Sequence, residues 1–429
     1  MKPRILTRSI GLALLISFVL LLHASQRHPE ANGQANFPSG WSRTKGAFDR
    51  FIREPSSLTA REFYVSISGG KGMDSDKTGI LDHIFGHSLH SVSVSPYKTI
   101  AIEMLQGDIY AARSAIRLLE FVDSGWQRPR SVTTRAAGRI GESLGDLVRV
   151  DPALFLRACY EERENPYLKE KGFPIGFISG IMNKKTTRAS YELEMRRKAL
   201  QLVEDQELRL VRDECIEAID REIKEYGSDS PAIEEHEEKP LEDPRAEIKK
   251  VFAEMQSRPS PENMKRVLAL FSDVPRENQV DLIEAMSPPF EAVRRSAEVP
   301  LNIIDHEARC CNEYAIEVLF RALVHFLGLS SEQICSTISN LVLIKPGLFI
   351  EKLAKYRQLL ECVDSASKPD VHYFEWTCDY ISPFDYVDVC EDVILRRRID
   401  VLTALNMPEH KELIDRCIRV IEKELTAKK

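Results

Sequence analysis

Leu147-Val148-Arg149-Val150-Asp151-Pro152-Ala153-Leu154-Phe155-Leu156 and Leu341-Val342-Leu343-Ile344-Lys345-Pro346-Gly347-Leu348-Phe349-Ile350 read as two versions of one helix junction, with five of ten positions identical. Asp151 can cap a helix, and Pro152 suits a first helical position because its φ is already set and it has no N–H to leave unpaired. One helix is therefore expected to end at Val150 and the next to start at once.

Outward from this junction, further blocks recur in the same order. Phe48, Pro55 and Ser56 match Phe252, Pro259 and Ser260 at an offset of 204, and Tyr110, Ala111 and Arg117 match Tyr314, Ala315 and Arg321 at the same offset. Cys215 to Ile223 lines up with Cys417 to Leu425, preceded by Arg196-Arg197-Lys198 opposite Arg396-Arg397-Arg398. A unit copied in tandem keeps its core while its surface drifts. Two diverged copies are expected, at 44–226 and 247–429, joined by Gly227 to Ala246, whose three prolines and seven acids mark a solvated linker.

Inside each copy the apolar spacing is helical. Ile109, Ala112, Ile116 and Leu119 form one stripe behind a capping Asp108, and no alternating strand pattern competes. The fold class is all-α, with short antiparallel helix pairs either stacked as an α-solenoid or folded as an irregular helical bundle. The layout resembles HEAT or armadillo-like repeats in architecture only, without their family signature.

Residues 1–25 carry Lys2, Arg4 and Arg8, then an apolar run from Ile10 to Leu22, then His23, Ala24 and Ser25. That is the pattern of a secretory signal peptide, and its apolar core is too short to span a bilayer comfortably. Export to the periplasm or outside is expected, with an uncleaved N-terminal anchor as the alternative. No membrane association is expected beyond the leader. Residues 26–43 are polar and aperiodic, a disordered lead-in. The net charge is −7, and removing the three leader cations would take it to about −10. Nucleic acid is then an unfavourable partner. The nine cysteines have no C-x-x-C spacing. Small buried apolar residues are the plainest reading of most of them, and an oxidising compartment would permit bridges in the second half.

Two places differ between the copies. From Ser68 to His90 the first copy holds His83, His87 and His90, which fall within about 60° on one face if 80–92 is helical, opposite Leu81, Ile84 and Phe85. Imidazoles one turn apart can share a transition metal, with Asp74, Asp76 or Asp82 completing the shell. A solvated face that happens to carry histidines is the plainer reading. Asp74 to Gly79 opens like a calcium loop but has Phe85 where the closing acid belongs, and the same stretch lacks the glycine before lysine of a phosphate-binding loop.

The second place is the segment holding Tyr373, Phe374, Trp376, Tyr380, Phe384 and Tyr386 among Glu375, Asp379 and Asp385. It can be a recognition surface for a basic or apolar partner, or rings filling the core beneath a long connection. Catalytic motifs are lacking: there is no G-x-S-x-G elbow, and His306-Glu307 lacks the second histidine of a zinc-protease helix. The expected function is a non-catalytic exported scaffold for an unknown protein or peptide, with no cofactor. The alternative is a metal-binding protein or metal-dependent enzyme using the histidine face.

Overall fold

The computed structural model describes residues 39–68, 77–85, 96–123, 130–174, 187–226, 244–273, 279–287, 299–325, 329–366, 372–381 and 391–427. Among these, twenty α-helices and two 3-10 turns account for the regular structure, and no strand occurs. The first half contains α1 (Ser39–Arg53), α2 (Ser57–Ser68), α3 (Lys77–Phe85), α4 (Tyr97–Leu105), α5 (Ile109–Asp123), α6 (Arg130–Val150), α7 (Pro152–Glu161), α8 (Pro166–Lys171), α9 (Thr187–Gln201) and α10 (Arg209–Tyr226). The second contains α11 (Pro244–Ser257), α12 (Pro261–Asp273), α13 (Gln279–Met286), α14 (Pro300–Arg309), α15 (Glu313–Leu323), α16 (Leu329–Ile344), α17 (Pro346–Ala366), α18 (Tyr373–Asp379), α19 (Glu391–Ala404) and α20 (Lys411–Ala427). The all-α expectation holds, in its irregular form. No described helix is long and apolar enough to cross a membrane.

The junctions form for the reasons the sequence suggests. Asp151 accepts from the Leu154 N–H, and Pro152 opens α7. Asp108 accepts from the N–H groups of Tyr110 and Ala111 at 2.8 and 2.9 Å, which satisfies two of the orphan donors at the start of α5. Pro346 opens α17 in the same manner as Pro152, without a capping acid before it. The last three residues of the expected linker, from Pro244, already belong to α11.

By its contacts the chain divides into Met1–Ser39 and a compact unit of Gly40–Lys429. Within the compact unit the apolar side chains gather into two main cores. One runs from Ala47 to Ile219 and the other from Ile248 to Leu425. The stripe expected on α5 points inward, with Ala112, Ile116 and Leu119 buried and Ile109 packed at the edge. Burying one such aliphatic or aromatic side chain contributes roughly 1.5–3 kcal/mol. Cys159, Cys215, Cys310, Cys335, Cys378 and Cys417 are buried as expected, and Cys311 is half-buried.

Candidate functional site

The densest group of chemically able side chains lies where α14 of the second half meets α6 and α9 of the first. Helical spacing puts Asp146 and Arg149 on one face of α6, Glu192 and Arg196 on one face of α9, and Asp305, His306, Arg309 and Cys310 along one turn at the end of α14. Arg149 donates to both oxygens of Glu307, at 2.8 and 3.0 Å, and reaches Glu192 at 3.2 Å. His306 has one nitrogen 3.4 Å from Asp146 and the other 3.4 Å from Glu192. Arg309 spans Asp146 at 3.7 Å and Asp305 at 3.5 Å, and Asp305 also accepts from Thr337. At the edge, Glu142 pairs with Arg139.

The Arg196 guanidinium lies against the backbone of Gly145, where a methyl group would stand 2.2 Å from it. Glycine lets α6 approach this fully buried cation, and any Cβ there would force the guanidinium to move.

Each nitrogen of His306 lies 3.4 Å from a carboxylate oxygen, surroundings that favour the imidazolium form of the ring. Four carboxylates (Asp146, Glu192, Asp305 and Glu307) then meet four cations (Arg149, Arg196, Arg309 and His306), and the seam is neutral. Burial alone would push the imidazole pKa down, but Cys310, Asp146 and Glu192 hold it well above its ordinary value. Burial would likewise raise Glu192, yet Arg149 and His306 hold it well below the usual carboxylate range. Asp146 goes the other way, with burial raising it against the pull of His306 and Arg309.

Cys310 Sγ lies 4.0 Å from His306 Nε2, with Asp146 behind the ring, so the order resembles nucleophile, base and orienting acid. Asp146, His306 and Cys310 are 2, 3 and 9% exposed. The sulfur is thus nearly buried among charged side chains. Asp146, His306 and Cys310, or Glu192, His306 and Glu307, lie close enough to hold a metal ion. Guanidinium groups already serve these carboxylates, so a divalent ion would add charge to a balanced site. The arrangement fits a buried ionic seam between the two halves.

The residues expected from sequence fall elsewhere. His83 is on α3, with Nε2 2.6 Å from Asp49 and its ring edge-on to Phe48 at 5.7 Å. Burial would raise the Asp49 carboxyl, but hydrogen bonds from His83 and Lys45 bring it below its ordinary value. Leu81, Ile84 and Phe85 are buried beneath, and Asp82 is half-buried. His87, His90, Asp74 and Asp76 lie outside the described residues.

In the aromatic segment the docking surface needs correction at two positions. Tyr373 and Phe374 are buried core residues, because α18 tucks them against the second core, and Arg416 covers the Phe374 ring at 4.0 Å. Trp376 and Tyr380 are half-buried at its rim, Trp376 edge-on to Tyr373 at 6.0 Å and Tyr380 tilted against Trp376 at 6.5 Å. Phe384 and Tyr386 lie outside the described residues.

Sequence reasoning missed the seam. Arg149 stands where the second junction has Leu343, and that mismatch was its one visible sign. No family model matches the chain, and neither the curated proteins nor the solved structures provide a match.

Proposed function

We propose that the protein is an exported, non-catalytic scaffold that binds a protein or peptide through the groove between α1 and α2. A cleft of about 420 Å³ carries the reading: Arg43, Arg50 and Arg61 flank Ala47, Leu58 and Val65, and Glu62, paired with Arg50 at 3.0 Å, leaves an excess of two cations. Leu58 is 66% and Val65 48% exposed, seven residues apart on one face of α2. Exposed aliphatic side chains beside guanidinium groups suit an amphipathic segment bearing acids. This groove replaces the aromatic segment, whose first two rings are committed to the core. A second cleft, of about 560 Å³ between α7, α8 and α10, mixes Arg163, Lys169 and Arg221 with Glu164, Glu214 and Glu217, so it favours neither charge.

The test places a photo-crosslinking residue at Leu58 in cells exporting the protein, with Leu58→Glu/Val65→Glu as the competitor-dead control. One partner captured at that position, and lost in the double variant while its helical spectrum is unchanged, is the expected result. Release into no exported fraction would defeat the localisation. A transition metal present at about one equivalent and lost on His87→Ala would instead favour the histidine-face alternative.

The tandem duplication belongs to the same proposal. It is supported by contacts that recur with the halves exchanged: Tyr191 of α9 donates to the Pro259 carbonyl at 3.1 Å, and Arg397 of α19 to the Pro55 carbonyl at 3.3 Å. Glu307, paired with Arg149, answers to Glu103, paired with Arg397 at 2.5 Å. Where the first pairing has His306, Arg149 and Glu192, the second has Ile102, Leu343 and Ile394 packed as a small apolar cluster.

A further inference from the structure

Two cysteines in the second half lie close together and serve neither the seam nor the groove. Cys378 sits near the end of α18 and Cys417 on the inner face of α20, and their sulfurs are 2.8 Å apart. Both thiols are fully buried, with no other described cysteine bonded to either. Closing to a disulfide requires the sulfurs to approach by a further ~0.8 Å, since a bridged pair stands near 2.05 Å.

The helices that carry them are held from other directions. Arg398 of α19 donates to the Cys378 carbonyl at 3.2 Å and the Tyr380 carbonyl at 3.0 Å, which caps the end of α18. Phe374 of α18 lies under Arg416 of α20 at 4.0 Å. The sulfurs are thus positioned by a fixed frame.

We propose that Cys378 and Cys417 are joined by a disulfide that staples α18 to α20 in the mature protein. The two thiols lose two protons and two electrons. A disulfide oxidant, either an oxidised dithiol oxidoreductase or glutathione disulfide, takes them up and becomes two thiols. The route is attack by one thiolate on the oxidant, then displacement from the mixed disulfide by the second. Burial holds the Cys378 thiol well above its ordinary pKa, with Cys417 adding to the effect. Thiolate is therefore scarce once α18 has packed, so the bridge closes during folding and is afterwards shielded from reductants. This goes beyond the scaffold reading and does not depend on which partner is bound.

The test refolds the reduced full chain, without its leader, in a buffer of reduced and oxidised glutathione, so that its outcome does not hinge on export. The protein is then unfolded in an alkylating agent and mapped by peptide mass. The expected result is a linked pair of peptides containing Cys378 and Cys417, lighter by two hydrogens than the reduced pair. The melting midpoint should fall by roughly 5 °C on reduction. Cys378→Ser should abolish that sensitivity, and Cys335→Ser, another buried cysteine of the same half, should keep it. Alkylation of both residues after refolding, or a link from either one to a different cysteine, would overturn the proposal. If Cys378→Ser does not fold, the peptide map of the wild-type chain decides alone.

Discussion

Arg149 holds two carboxylates that have no water to turn to, since Glu192 and Glu307 are both buried. Removing one member of such a group leaves the others charged and unpaired, which costs about 3–5 kcal/mol. Arg149→Leu, the residue of the second junction, should therefore lower the urea midpoint by that equivalent at unchanged slope. Arg149→Lys should fall between the two, because a lysine keeps the charge but not the planar fork that serves both oxygens of Glu307. A loss of less than about 1 kcal/mol in Arg149→Leu would mean that the seam is not what joins the halves. Arg149 was visible in the sequence as an arginine where its counterpart is leucine. Its partners were not, because Glu192 and Glu307 lie 43 and 158 residues away and only the packing of α6, α9 and α14 brings them together. The histidines drew attention because local spacing can be read, and His83 turned out to be paired with an aspartate of α1.

At the scale of the element, α4 and α14 end in the same way. Asp108 N–H bonds the Glu103 carbonyl and Gly107 N–H that of Met104, while Asn312 and Cys311 do the same to Glu307 and Ala308. The left-handed residue of this closure is Gly107 at φ 95° in the first and Cys311 at φ 62° in the second. A residue with a Cβ costs about 1–2 kcal/mol there, while glycine gives the unfolded chain about 0.5–1 kcal/mol of extra entropy that folding must overcome. Cys311→Gly should therefore stabilise by up to about 1 kcal/mol in a denaturant titration, while Cys311→Ala leaves stability near the wild type. Equal gains in both variants would assign the effect to the thiol and not to the backbone. Helix starts were legible wherever an aspartate preceded a proline or an apolar stripe, as at Asp108 and Asp151. The end of α14 was not, because Arg309-Cys310-Cys311-Asn312 contains no glycine to announce it.

Across the whole molecule, the ionic group of His306, Arg149 and Glu192 at one junction is answered at the other by the apolar cluster of Ile102, Leu343 and Ile394 beside the Glu103–Arg397 pair, so pH should act on them unequally. His306 has its pKa raised in the folded state. Its contribution to stability is complete below the value of the unfolded imidazole, about 6.5, and drains away as pH rises toward the folded value. Glu192, held low, adds stability that is complete above the unfolded carboxylate value and is lost only in stronger acid, while Asp146, held high, offsets part of that gain. Above the unfolded imidazole value, about pH 6.5, the imidazolium of His306 is a seam group whose charge is lost as pH rises. Tyrosines and lysines titrate over the same range, so the informative quantity is the unfolding free energy of the wild type minus that of His306→Gln. That difference should shrink steadily as pH rises, because only the wild type has an imidazolium to lose. The apolar cluster of Ile102, Leu343 and Ile394 carries no titratable side chain, and Ile394→Val should leave a difference curve that is level there. A level curve for His306→Gln as well would show that the ring is neutral in the folded protein. The seam would then hold one unmatched carboxylate, and its two histidine contacts would have to be neutral hydrogen bonds.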